Sequence, residues 1–311
     1  MIGLAISCFI FLKPTISNAV IYGEDNRKPI SKELAEKMGL KPIVAILVEK
    51  VHKSNYPCNG VWISKIHILT AAHCVANSKK ILIYNQYDKL LTTSKATGKK
   101  IYVDINSSNN QSDWEENNNS KWQPNSNDWA VIEVEEEEIG AEPEYVYNPA
   151  TKKMVKNLHR YEDGSIMGTL PISSTESLKD NPWITFAGHH DDAYNSLYRE
   201  QCRYQERMAK DSYWLMFRPN VFEFDCDVIS GSSGSPLLSC DGAKCKIVGI
   251  LSGEFYPDTP VAEFSHRYAN TAVHTKNFIV PVTQLLKGNK AYVKSFDLEK
   301  MKCRKTDCLK N

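Results

Sequence analysis

Seven short runs rich in β-branched and aromatic residues constrain this chain more than any other feature: IVAILVEKV (Ile43 to Val51), GVWIS (Gly60 to Ser64), ILIY (Ile81 to Tyr84), WAVIEV (Trp129 to Val134), WITFAG (Trp183 to Gly188), YWLMF (Tyr213 to Phe217) and KIVGILSG (Lys246 to Gly253). Turn-forming residues separate them, which predicts an all-β sandwich or barrel. They do not alternate with helices as a parallel sheet would require. Two helical stretches stand out, SKELAEKMG (Ser31 to Gly39) and, near the C-terminus, VTQLLKG (Val282 to Gly288). Residues 104–127 are so rich in Asn and Ser that a long exposed loop is expected. The acidic run Glu135 to Glu138 opens a solvated connector over roughly 135–165 between two β-rich halves.

A length of 311 residues suits two domains. With 38 basic and 37 acidic residues the net charge is +1, so no overall field draws the protein to nucleic acid or anionic lipid. Partner choice must come from a local site. Residues 1–19 hold an apolar run from Ile2 to Leu12 followed by Pro14 and the small residues Ser17 and Ala19, the pattern of a secretory signal, although nothing basic precedes the run. The run is too short to span a bilayer, so no stable membrane anchor is expected. Of nine cysteines, Cys8 falls in this leader and eight remain, an even number that suits disulfide formation outside the cytosol. Cys240 with Cys245 and Cys303 with Cys308 are close enough in sequence to close small loops. A zinc site competes for them, but the spacing is not a paired CxxC set and no histidine lies near either pair, so no metal is expected.

The stretch DVISGSSGSPLL, Asp227 to Leu238, holds six consecutive serines and glycines. It reads as a linker unless one serine has a base to take its proton and a group to orient that base. Two other stretches supply candidates. ILTAAHC (Ile68 to Cys74) places His73 directly after a β-like run, and NDWAVIEV (Asn127 to Val134) places Asp128 at the mouth of another.

Together the three motifs resemble those of the chymotrypsin-like serine peptidase superfamily, and in particular its bacterial secreted branch related to glutamyl endopeptidases. TAAHC matches the motif of the base, DWAV that of the orienting acid, and GSSGSP the G-x-S-G-x-P of the nucleophile. The resemblance covers roughly residues 20–290 and implies two six-stranded antiparallel β-barrels with a C-terminal helix. It implies a secreted or periplasmic monomeric endopeptidase acting on protein or peptide substrates, without a cofactor. The order His73, Asp128, Ser233 is that of the superfamily triad. Ser233 is the third residue of the motif, and the amides of Gly231 and Ser233 become the donors to the oxyanion. The corresponding division is a signal at 1–19, an N-terminal barrel at 20–145 with His73 and Asp128, a C-terminal barrel at 146–290 with Ser233, and a basic cysteine-containing tail at 291–311. The resemblance also pairs Cys58 with Cys74 and, less directly, Cys202 with Cys226. A non-catalytic binding protein on the same scaffold is the alternative from another functional class.

Several positions depart from trypsin. Ser232 stands where zymogens carry the aspartate that pairs with a newly cut amine, so that mode of activation is not expected. The segment beginning VIYGEDNR at Val20 resembles the mature start of glutamyl endopeptidases, with Val20 as a contributor to the binding pocket. Asp227, six residues before Ser233, has the offset of the aspartate that selects Lys or Arg; a structural Asp capping the turn is the competing reading. Leu251 replaces the histidine expected of an enzyme selective for acidic residues. Ser252 and Gly253 match the edge that pairs with substrate backbone, without the usual tryptophan between them. His189 and His190 in GHHDD read as a surface turn, since adjacent strand residues point to opposite faces and do not share a metal.

Overall fold

The computed structural model describes residues 20–50, 56–85, 96–106, 127–134, 144–148, 153–157, 168–174, 178, 181–190, 196–205, 221–242, 244–253, 261–265 and 269–298. The leader, most of the 104–127 stretch, the YWLMF run and the Cys303–Cys308 pair lie outside the described residues.

The chain opens with β1 (Lys28–Pro29) and helix α1 (Lys32–Lys37). Ser31 caps α1 by accepting a hydrogen bond from the Leu34 amide, and Glu33 and Lys37 sit where the helix dipole favours their charges. Gly39 follows at φ 68°, a left-handed conformation that lets the Leu40 amide reach back to the Ala35 carbonyl and turns the chain into the first sheet.

That sheet comprises β2 (Ile43–Lys50), β3 (Tyr56–Trp62), β4 (His67–Thr70), β5 (Ser78–Asn85), β6 (Ala96–Asp104) and β7 (Ala130–Val134), with helix α2 (Ala72–Val75) after β4. Every neighbouring pair is antiparallel, and pairing of β6 with β7 closes the ring β2–β3–β4–β7–β6–β5. Closure leaves little edge open: β5 pairs with β6 only at Ala96 and Thr97, so within the ring one side of β6 stays open beyond them. Its buried cluster includes Ile46, Ile68, Ile81, Ile101 and Ile132.

A two-stranded hairpin follows, β8 (Glu144–Asn148) with β9 (Lys153–Asn157), in register from Glu144 opposite Asn157 to Asn148 opposite Lys153. This corrects the expectation of a plain connector over 135–165: EYVYN and KMVKN carry β-formers on either side of an Asn-Pro turn signal.

The second ring is built from β10 (Trp183–Gly188), β11 (Tyr198–Gln205), β12 (Val221–Phe224), β13 (Pro236–Asp241), β14 (Lys244–Gly253) and β15 (Asn270–His274), closed by pairing of β11 with β12. Phe186, Phe222, Phe224, Leu237 and Leu251 belong to its buried cluster. Disulfides join Cys202 of β11 to Cys226, just after β12, and Cys240 to Cys245 across the β13–β14 turn. After a 3₁₀ turn at Thr275–Asn277, helix α3 (Ile279–Leu286) begins three residues before the stretch read from sequence. Pro281 fits there because first-turn amides lack intrahelical partners.

The architecture is therefore all-β, two closed six-stranded antiparallel barrels with a short helix near the C-terminus. Both ends of the chain cross the expected boundaries. β1 adds to β11 of the second barrel, and β16 (Val293–Asp297), within the stretch read as a tail, adds to β6 of the first. Each barrel thus carries a strand from the far end of the chain.

Gly60 lies where a Cβ would approach Ile68 Cγ2 to 2.6 Å and Ile46 Cδ1 to 2.7 Å inside the first barrel. Gly60→Ala is expected to cost about 1–3 kcal/mol by overpacking. Chemical denaturation should show a lower midpoint with an unchanged slope, and an unchanged midpoint would mean that the barrel wall yields freely.

Candidate active site

His73 lies on α2, the single turn that follows β4. The chain enters this turn through Thr70 and leaves it through Cys74, which is bonded to Cys58 of β3. Lys50 donates to the His73 carbonyl at 3.0 Å and fixes the turn from β2. Asp128 precedes β7, the neighbour of β4, so sheet pairing delivers it to the histidine. Its two oxygens take separate donors: Oδ1 accepts the His73 backbone amide at 2.8 Å and Oδ2 faces His73 Nδ1 at 2.8 Å. Trp129, the next residue, is buried against Phe278 with ring centroids 6.0 Å apart, which seats the start of β7 on the segment leading into α3.

A third group reaches the carboxylate from the other barrel. β14 carries an irregularity between Leu251 and Gly253, so Ser252 is the extra residue in the ladder. Such a bulge re-aims a side chain, and the Ser252 hydroxyl donates to Asp128 Oδ2 at 2.5 Å. Sequence reasoning gave Ser252 a place beside substrate backbone; in the structure its side chain serves the acid. The carbonyl of Gly253 accepts the Thr271 hydroxyl at 3.1 Å. Burial pushes the Asp128 carboxyl up, but the charge of His73 and hydrogen bonds from the His73 ring, Ser252 and the His73 amide outweigh it and hold the group below the usual aspartate range.

Ser233 sits in the turn before β13 and is 8% exposed. The turn is held by bonds from the Ser232 amide to Ile229 O (3.1 Å), the Ser235 amide to Ser232 O (3.1 Å) and the Gly234 amide to Leu251 O (2.9 Å). Gly231 and Gly234 have φ of 85° and 81°. At Gly234 there is also no room: a Cβ would lie 2.2 Å from Asn59 O and 2.4 Å from Thr70 Oγ1. The glycines of GSSGSP are thus required by backbone conformation and by close approach of the other barrel.

Asn59 supplies that approach, and sequence reasoning missed it. It follows Cys58 in β3 and is fully buried. Its amide donates to Ser233 O (2.7 Å), and its side-chain Nδ2 donates to Gly231 O (2.7 Å) and His189 O (3.0 Å). Oδ1 accepts the His189 amide (2.7 Å), and the Asn59 carbonyl accepts the Thr70 hydroxyl (2.6 Å). The available signal was a lone amide side chain between a cysteine and a glycine in an otherwise apolar strand.

His189 and His190 are both fully buried, which corrects the surface-turn expectation. Burial follows from packing, with the His190 ring 5.4 Å from Phe186 and 5.2 Å from Tyr198, centroid to centroid. Ser232 donates its hydroxyl proton to Ile229 O at 2.5 Å, so the 2.7 Å contact with His190 Nδ1 is one in which the ring donates. Burial, then the charges of Arg27 and His189, hold His190 well below the usual imidazole range, so it stays neutral.

Asp227 is 1% exposed, and its carboxylate faces the chain's own N-terminal segment. Oδ1 accepts the Tyr22 amide and Oδ2 the Asn26 amide, each at 2.8 Å. Val20 is fully buried nearby, its carbonyl accepting the Val228 amide at 3.3 Å. The carboxylate contacts of Asp227 are to the N-terminal segment, not to the turn that the capping reading placed beside Asp227. Burial pushes its carboxyl up, the Asn26 and Tyr22 amides pull it down, and the charge of Asp25 raises it, with a net rise. Cys58, His73 and Cys74 are the described residues close enough to share a metal, but both sulfurs are spent in the disulfide.

The fold and the matched sequence define a chymotrypsin-like protein. A family model described as Trypsin matches residues 42–272, and the chain belongs to that family. Among solved structures it is similar to a Glu endopeptidase in complex with MPD, with a TM-score of 0.55 and 18% identity over 86% of this chain and 100% of that one. It is also similar to the scabies mite inactivated protease paralogue S-I1, with a TM-score of 0.52 and 15% identity over 81% and 97% of the two chains. A third likeness is to HL collagenase, with a TM-score of 0.52 and 17% identity over 85% and 99%. A search of curated proteins found no match.

Glu200 accepts the Asp227 amide at 2.8 Å, and burial followed by the charge of Asp227 pushes its carboxyl up to about 8. A raised folded value means that the protonated form is favoured in the fold. Its stabilisation is complete below the ordinary carboxyl range and is lost as pH rises through about 8. Glu200→Gln keeps the acceptor oxygen without the charge. Its thermal midpoint should hold between pH 5 and pH 9 while that of the wild type falls; parallel curves would refute the assignment.

Proposed function

We propose that the chain is an exported serine endopeptidase that cleaves peptide bonds through an acyl-enzyme. The observation that carries this reading is the double grip of Asp128 on His73, at the backbone amide and at Nδ1. A carboxylate on Nδ1 fixes the tautomer in which Nε2 is basic and stabilises the cation formed when Nε2 is protonated. Nε2 takes the Ser233 hydroxyl proton as Oγ bonds to the scissile carbonyl carbon. The same proton passes to the leaving amine as the C–N bond breaks, and water then releases the acyl group by the reverse path. The amides of Gly231 and Ser233 stabilise the oxyanion of each tetrahedral intermediate. Nucleophile and base are tied together through Asn59, which bonds to Ser233 and adjoins the Cys58–Cys74 disulfide next to His73.

Three disulfides among the described residues are consistent with an extracellular protein. No helix among those residues is long and apolar enough to cross a membrane. A second reading, a non-catalytic binding protein, has one observation in its favour: a neighbour of the same fold is described as an inactivated protease paralogue. Labelling with a fluorophosphonate separates the two. The wild type should label and turn over peptides, and Ser233→Ala should lose labelling and on the order of 10⁶-fold in turnover. Full activity in the variant would remove Ser233 from its role.

Cleavage after Lys or Arg is one of the two readings that the offset of Asp227 allows. Its oxygens are held by the Tyr22 and Asn26 amides, so we infer that other residues set the primary preference and that Asp227 pins the N-terminal segment. Asp227→Asn turns a donor toward one of those amides and should cost about 1–3 kcal/mol of stability. The cleavage profile on a peptide library should be unchanged. A Lys/Arg preference present in the wild type and lost in the variant would restore the pocket role.

A further inference from the structure

We propose that the Asn59 side chain is the positioning residue of the oxyanion turn, a role that rests on the peptidase reading above. The Ser232 hydroxyl anchors this turn locally, through neutral bonds to Ile229 O and His190 Nδ1. The carbonyls on either side of Ser232 are held from the other barrel. Asn59 Nδ2 holds the Gly231 carbonyl at 2.7 Å, while the backbone amide of the same residue holds the Ser233 carbonyl at 2.7 Å. The two carbonyls on either side of Ser232 are thus gripped by one residue of the opposite barrel.

The carbonyl of a residue and the amide of the next share one rigid plane. Fixing Gly231 O sets the 231–232 plane and fixing Ser233 O sets the 233–234 plane, so Asn59 holds the two planes that bracket the 232–233 plane, which carries the Ser233 amide and whose own carbonyl is held by the Ser235 amide and hydroxyl (3.1 and 2.6 Å). Asn59 is itself oriented, because Oδ1 accepts the His189 amide at 2.7 Å and Nδ2 also donates to His189 O at 3.0 Å. That clamp identifies the amide oxygen and nitrogen without ambiguity: only Nδ2 has two carbonyls to face. A group buried this deeply with every polar atom partnered is costly to replace and precise in what it holds.

Two variants test the assignment in the full-length protein. Asn59→Ser leaves the backbone bond to Ser233 and removes the side-chain reach; Asn59→Asp keeps the shape and the Oδ1 acceptor but turns an oxygen toward Gly231 O and His189 O. In either variant that folds with its disulfides formed, kcat on a peptide substrate should fall on the order of 10²-fold. KM should stay within about twofold, because ground-state contacts are untouched. The rate of fluorophosphonate labelling should fall in step with kcat, since phosphonylation develops charge on the same donors. Amide hydrogen exchange at residues 231–235 should quicken about tenfold or more while protection in the barrel strands is kept.

A folded variant with wild-type kcat, or with unchanged exchange in the turn, overturns the proposal, and a lower melting temperature alone does not support it. Ser233→Ala separates this failure from that of the underlying reading. If peptide turnover survives in Ser233→Ala the assignment of Ser233 as nucleophile is wrong, and the exchange measurement still decides whether Asn59 holds the turn.

Discussion

Each barrel closes its own ring of strands, so how one sits on the other depends on contacts made outside those ladders. Asn59 makes several of them. It presents donors and acceptors from β3 to the Ser233 turn and to His189 after β10, and its carbonyl takes the Thr70 hydroxyl from the strand that leads to His73. Because the residue is fully buried, each of these bonds replaces one that water would have made, and losing any of them strands a polar group. Directional bonds of this kind fix a relative position more sharply than apolar packing, which tolerates sliding. The Ser252–Asp128 bond and the Trp129–Phe278 contact act in the same sense on the other flank.

Two buried aspartates show how neighbours decide the state of one kind of group. Asp128 and Asp227 both lose solvation, which raises each of them. Asp128 faces His73, which becomes a cation when it takes a proton, and its carboxyl ends below the usual range. Asp227 faces neutral amides, with Asp25 and the Asp227-bound Glu200 close by, and ends above it. One carboxylate is stabilised as a charge that can support another charge; the other is suited to gathering backbone amides. The offset of Asp227 from Ser233 carries none of this, since Tyr22 and Asn26 are some 200 residues away in sequence (|i−j| of 205 and 201).

What was legible in the sequence is what local chemistry forces into local pattern. Gly231 and Gly234 suit a left-handed φ, and Gly234 also a lack of space, so the Ser233 turn is visible as a motif. Strands buried on both faces, such as β2 and β14, appear as apolar runs. β11 does not, because its sequence YREQCRYQ is mostly half-exposed, and β16 joins the first barrel from the end of the chain, a pairing that no local pattern encodes. Asn59, the bulge that turns Ser252 toward Asp128, and the burial of His190 escaped for the same reason. Each is defined by a partner distant in sequence, and the identity of an Asn, a Ser or a His says little until that partner is known.

The neutral character of the turn at residues 229–235 follows from the residue at position 232. A carboxylate at position 232 would need a cation, and a cation delivered by chain cleavage makes the geometry of the turn conditional on that cut. Ser232 needs only an acceptor and a donor, which Ile229 O and a neutral His190 provide from within the barrel. The N-terminal segment is anchored by backbone amides, those of Tyr22 and Asn26, on the Asp227 carboxylate. Those amides belong to the chain whether or not the bond before Val20 is cut. The turn and the segment are each held by hydrogen bonds within the chain, and Asn59 ties the turn to the first barrel.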